Sequence, residues 1–190
     1  MKRRFGFLLL VSVVAITALC AERPVDTAHS KIRIHVGKAG LVSAAGHEHW
    51  VTAPIADGKL DDGVPGSIAF RVKAAGLQVE EDKGLSADKQ AEVQRTMQTQ
   101  VLDSDKHPEI TFHSTSVKKT DADTWLVRGD LTLHGQTHPV TATVHKQQNG
   151  YVGRCELKQT DFGIQPVRVG GGLVRVKDQL DIEFSIVPSQ

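Results

Sequence analysis

Along most of this chain hydrophobic and polar residues alternate one by one. Ile32, Ile34 and Val36 alternate with Lys31, Arg33 and His35. Ile68, Phe70 and Val72 do the same against Ser67, Arg71 and Lys73. Trp125, Val127, Leu131 and Leu133 share one side of a stretch whose other side carries Arg128, Asp130, Thr132 and His134. Leu180, Ile182, Phe184 and Ile186 alternate with Asp181, Glu183 and Ser185. A period of two marks strands with one buried and one wet face, and such strands belong to antiparallel sheets. The pattern predicts strands near 29–37, 40–46, 49–60, 65–75, 109–118, 124–134, 138–147, 151–161 and 174–187, about eight in all with the count open by one. Turn chemistry separates them: DDGVPG at 61–66, KTDAD at 119–123, HGQTH at 134–138 and QQNGY at 147–151, with Asn149-Gly150 the strongest hairpin signal. Short turns between many alternating strands predict an all-β fold, an antiparallel up-and-down meander closed into a barrel that leaves no exposed edge.

One segment departs from this period. Between 86 and 102, Val93, Met97 and Val101 recur every fourth residue, Ser86 suits an N-cap and Asp88 stands in the first turn. This predicts a helix with too few apolar residues to form a core layer, and so one that covers an end of the barrel.

The N-terminus adds a compartment to the picture. Lys2, Arg3 and Arg4 precede an apolar run from Phe7 to Ala18, and small residues follow it around Ala18, Cys20 and Ala21. That order is expected of a secretory signal peptide over residues 1–21, cleaved after Cys20 or Ala21, with export to the periplasm. A lipoprotein signal acylated at Cys20 is the alternative. The run is shorter than the roughly 20 residues of a spanning helix. Residues 22–190 then form a single domain. Without the leader's three cations, 20 Lys+Arg face 22 Asp+Glu, and this near-neutral balance gives no electrostatic case for nucleic acid. Of the two cysteines, Cys155 would stand alone, and Leu157 on its face predicts an inert buried thiol.

Several stretches resemble the YceI-like family. VDTAHSKIRIHV at 25–36 is similar to its opening strand, VLDSDKHPEITFHST at 101–115 to its helix exit and following strand, VRGDLTLHGQTHPVT at 127–141 to its most distinctive hairpin, and DFGI at 161–164 to a further short motif. The resemblance implies a lipocalin-like barrel, exported to the periplasm, whose apolar interior holds a lipid or isoprenoid chain. AAGHEHW at 44–50 stands where that family carries a Gly-Arg-Phe-like stretch, which makes this chain a histidine-bearing variant. The interior would be lined by the alternating apolar faces: Ile32, Ile34, Val36, Ile68, Phe70, Val72, Ile110, Phe112, Leu131, Leu133, Val144, Ile182 and Phe184.

The candidate chemistry is sparse. On a strand His47 and His49 point to one face and Glu48 to the other, so both histidines would sit at the barrel mouth and meet a ligand head group. The alternative is a metal-binding protein using His47 and His49, with a further ligand from His29, His35, His113, His134 or His138. His134 and His138 are expected to face each other across their turn, His134 bonding the turn and His138 exposed, and His107 is expected in a loop. No nucleophile elbow, HExxH or CxxC motif occurs, and the glycines of RVGGGLVRV at 168–176 open no predicted helix. The expectation is a binding protein with no cofactor, not an enzyme.

Overall fold

The structure is a computed structural model that describes residues 22–39, 48–63, 65–169 and 174–190. The leader at 1–21, the strand expected at 40–46, His47, and the glycines at 170–172 lie outside the described residues. The strands are β1 (Arg23–Pro24), β2 (Lys31–Ala39), β3 (His49–Ala53), β4 (Ile55–Asp61), β5 (Ser67–Lys73), β6 (Gln78–Val79), β7 (Glu109–Asp121), β8 (Thr124–Leu133), β9 (Gln136–Gln147), β10 (Gly150–Lys158), β11 (Arg168–Val169) and β12 (Val174–Ile186). They form one antiparallel sheet whose hydrogen-bonded order runs from β4 through β5, β7, β8, β9, β10, β12 and β2 to β3.

The two ends of that order are joined by the chain itself. β3 pairs with β2, β4 pairs with β5, and only Pro54 lies between β3 and β4. The stretch expected as one strand at 49–60 is therefore one bent strand shared by both edges, and it closes a circuit of eight. Proline suits the bend because it has no N–H to give to a ladder. Every member of the circuit pairs with its neighbour in sequence, and β12 returns to β2 with Ile182 opposite Ile34 and Phe184 opposite Ile32.

Local chemistry places the turns. His134 (φ 51°) and Gly135 (φ 72°) both take left-handed conformations between Leu133 and Gln136, the two-residue turn that matches strand twist. The Asn149-Gly150 signal is displaced by one residue: Gly150 pairs with Gln147 inside the ladder, so Gln148 and Asn149 form the turn. A Cβ at Gly150 would meet the Ile186 carbonyl oxygen at 2.3 Å, so the glycine serves close approach there. In the opening motif, Asp26 accepts from the N–H groups of Ala28 and His29 and holds the His29 ring at 2.7 Å. Ser30 accepts from the Val187 N–H at 2.9 Å, which ties the first residues of the barrel to its last.

The helix α1 (Ala87–Thr96) starts at Ser86, whose hydroxyl accepts from the Lys89 N–H, and widens into a looser turn over Met97–Val101 before the buried Leu102. No residue of α1 is buried. It lies beside β6, which pairs with β3 at the end of the barrel where β3 begins. Among the described residues, no helix is long and apolar enough to cross a membrane.

Candidate functional site

Inside the barrel lies a cavity of about 640 Å³. All thirteen apolar positions expected inside line it, from Ile32, Ile34 and Val36 on β2 to Ile182 and Phe184 on β12, and period-two alternation is the physical reason. Phe70 and Phe112 stand opposite each other on β5 and β7, their rings stacked at 5.4 Å.

Two aromatic rings fit because glycines leave them space. Phe184 lies opposite Gly153, where a Cβ would come within 2.5 Å of its Cζ; at Gly129 a Cβ would come within 2.4 Å of the Phe112 Cζ. The sequence holds the signal, a lone glycine on the inward register of a strand, but the ring that uses the space is named only by the ladder.

The two ends of the cavity differ. Strand register assigns Val36, Lys38, His49, Arg175, Leu133 and Leu157 to one end; α1 lends Val93 to the lining, and the looser turn after it lends Met97 and Val101. Phe162, 1% exposed, belongs to the same buried core cluster as Leu102, Leu77 and Ile164. The opposite end holds Asp61, Asp62, Ser67, Val117, Trp125 and Tyr151. There Tyr151 donates to Asp62 at 3.4 Å, Arg23 holds the same carboxylate at 2.5 Å, and the Trp125 ring meets Tyr151 edge-on at 5.8 Å. Burial, aided by the Asp62 charge, keeps the Tyr151 phenol above its ordinary pKa.

The helix is held to the barrel by amide side chains that the sequence analysis did not single out. Gln94 accepts from the Val79 N–H at 2.8 Å and donates to the Leu77 carbonyl at 2.9 Å. Gln90 donates to the Glu80 carbonyl at 2.8 Å and Gln98 to that of Leu77 at 3.0 Å. These residues recur every fourth position, so they share one face of the helix and satisfy the backbone of the short β6 edge.

The histidines disperse. His49 lines the cavity, and Glu48 points outward to His35 at 3.3 Å, so the expected alternation holds there; His47 lies outside the described residues. His35 also meets Asp181 at 3.4 Å on the outer surface, His29 meets Asp26, and His113 is exposed. Among the described residues no group of three or more His, Cys, Asp or Glu side chains could hold a metal ion. The expected pairing of His134 with His138 is not seen. His134 occupies the turn, bonds the Phe162 carbonyl at 3.3 Å and packs on the ring of His107 at 4.5 Å. His138, expected to be exposed, is half-buried on the inward register with its ring at the edge of Phe162, 5.2 Å away. Cys155 is half-buried, lines the cavity, and has its thiol pushed up to about 11 by burial.

A closed antiparallel barrel with an apolar interior, capped at one end by a single helix, is the lipocalin-like class of architecture. The profile of the YceI-like domain matches residues 24–187, so this chain belongs to the YceI-like family. A UPF0312 protein of Shewanella denitrificans is 29% identical over 203 residues, which span 96% of this chain and 97% of that protein. A UPF0312 protein of Azotobacter vinelandii is 40% identical over 70 residues, 32% of this chain and 36% of the relative, so this chain spans about a third of that relative's length. Among solved structures, BcnA of Burkholderia cenocepacia superposes with a TM-score of 0.60 at 22% identity, over 87% of this chain and 99% of BcnA. A polyisoprenoid binding domain from Saccharophagus degradans, implicated in plant cell wall breakdown, superposes with a TM-score of 0.60 at 11% identity, over 90% of this chain and 99% of the domain. At these identities the two structures speak for the fold.

Proposed function

We propose that this protein is a carrier that holds a lipid or isoprenoid-type chain inside its barrel, acting by binding and not by catalysis. The observation that carries this reading is the cavity of about 640 Å³ with its apolar walls. Water finds few hydrogen-bonding partners on such walls. An alkyl or isoprenyl chain gains roughly 0.8 kcal/mol per methylene removed from water and needs no polar motif, which agrees with how few polar groups line the walls. The likeness in fold to the polyisoprenoid binding domain from Saccharophagus degradans points the same way.

The leader-like pattern of residues 1–21 supports a second element of the reading, export to the periplasm. N-terminal sequencing of exported protein should begin at Ala21 or Glu22; full-length chain recovered from the cytoplasm overturns it. Native mass spectrometry of protein purified from its own host tests the carrier reading. A co-purified mass of lipid size is expected, and a bound metal ion with no lipid overturns it in favour of a metal carrier.

A further inference from the structure

The charged groups on the cavity wall are sorted by end. Where β2 leaves and β12 begins, Lys38 stands on the same inward register as Ile32, Ile34 and Val36, opposite Val176, and Arg175 follows on the neighbouring strand opposite Ala39. Both line the cavity. Lys89 and Glu92 of α1 also line this end and pair with each other at 2.9 Å. At the far end the lining charges among the described residues are the carboxylates Asp61 and Asp62, the second of them held by Arg23 and Tyr151. Between the ends, β7 lines the cavity from Ile110 to Val117, roughly 24 Å along the strand at ~3.4 Å per residue. Low-dielectric walls focus such a field along the cavity axis.

We propose that the ligand is an amphiphile with an anionic head, a carboxylate or a phosphate, seated at Lys38 and Arg175, with its tail running toward Trp125. This rests on the carrier reading above and adds the head group and its orientation. A negative head at the Lys38 end gains charge-assisted hydrogen bonds. At the other end it meets the carboxylate of Asp61, with Asp62 already paired to Arg23, and a like-charge encounter between apolar walls is unfavourable. A cationic head faces the reverse arrangement, and a neutral head has no electrostatic preference.

Two measurements on delipidated full-length protein test this. The first is calorimetric titration with palmitate, cetyl phosphate, cetyl alcohol and cetylamine. Palmitate and cetyl phosphate should bind about tenfold more tightly than cetyl alcohol, as expected for a hydrogen bond to a charged group, and cetylamine most weakly. The double variant K38Q/R175Q should bring palmitate down to the affinity of cetyl alcohol. Equal binding of all four probes, or tightest binding of the amine, overturns the head-group assignment and leaves the carrier reading standing; binding of none overturns both. The second measurement reads orientation in the unaltered cavity and so does not depend on how well the double variant folds. In a Trp50→Phe chain, Trp125 is what remains of two tryptophans. Palmitate brominated at its methyl end should quench Trp125 fluorescence, and palmitate brominated beside its carboxylate should not. The opposite quenching pattern overturns the proposal.

Discussion

Gly129 and Gly153 shape the cavity as much as the rings beside them. Each sits where a methyl group would press on an aromatic edge and on a neighbouring carbonyl oxygen, that of His113 for Gly129 and of Thr143 for Gly153. Gly129→Ala or Gly153→Ala should therefore lower unfolding free energy by ~1–3 kcal/mol, the usual range for overpacking, and push Phe112 or Phe184 into ligand space. Urea melts beside lipid titrations check both effects, and a variant as stable and as capacious as the parent refutes the account. On the outer face, Glu80 binds Arg33 through two oxygens at 2.8 and 2.5 Å and accepts from Thr52 at 2.7 Å, while the Arg33 guanidinium lies 4.2 Å above the Trp50 ring. These partners, Arg33 foremost, hold the Glu80 carboxyl down at about 2. A carboxyl depressed in the folded state stabilises above its unfolded pKa of about 4.3, and the contribution fades as pH falls through the folded value. Partial exposure of both side chains limits it to ~1 kcal/mol. Glu80→Gln should cost that amount at neutral pH, with the difference from the parent closing between about pH 4.5 and pH 2. A gap that stays constant across this range would assign the loss to packing instead.

At the scale of elements, the strands were largely legible and the fastenings were not. Alternation names inward positions on β2, β5, β7, β8, β9 and β12 because one buried face per strand is what an antiparallel barrel requires, and the same pattern places His49 inward and Glu48 outward. It cannot name partners across the chain. Asp62 and Tyr151 meet over 89 positions, and His107 meets His134, which adopts a positive φ that residue identity only weakly signals. The helix was expected from Val93, Met97 and Val101, yet its attachment is polar. Gln90, Gln94 and Gln98 carry the same spacing of four, and on a polar helix such residues read as solvent-facing until an unpaired strand edge is found beside them. Gln94→Leu should leave the Val79 N–H and weaken the hold on the Leu77 carbonyl, a loss of ~1–3 kcal/mol for buried groups left without partners. Because α1 buries no residue, that loss should act on the helix before the barrel. Hydrogen exchange should quicken across 87–101 while β7 to β10 keep their protection. Uniform acceleration over the whole chain would mean that helix and barrel open as one unit.

At the scale of the molecule, covalent closure at Pro54 and a cavity held open by the circuit's own ladders make occupancy a property of the whole fold. A ligand that binds only the folded barrel stabilises it by RT ln(1 + [L]/Kd), ~2.7 kcal/mol at a hundredfold excess over Kd. For a chain of this size that corresponds to a rise of roughly 5–10 °C in Tm on refilling the delipidated protein. Stabilisation alone does not locate the ligand, and Cys155 does. Its thiol lines the cavity on β10, between the Gly153 that admits Phe184 and the buried Leu157. Burial pushes it up to about 11, so the reactive thiolate is scarce at neutral pH and labelling is slow. An apolar maleimide should label Cys155 in delipidated protein and fail to do so once a long-chain ligand fills the barrel, with a Cys155→Ser chain reporting any background from Cys20. If refilling raises Tm while the labelling rate stays unchanged, the ligand has bound somewhere other than the cavity, and the barrel interior loses its claim to be the carrying site.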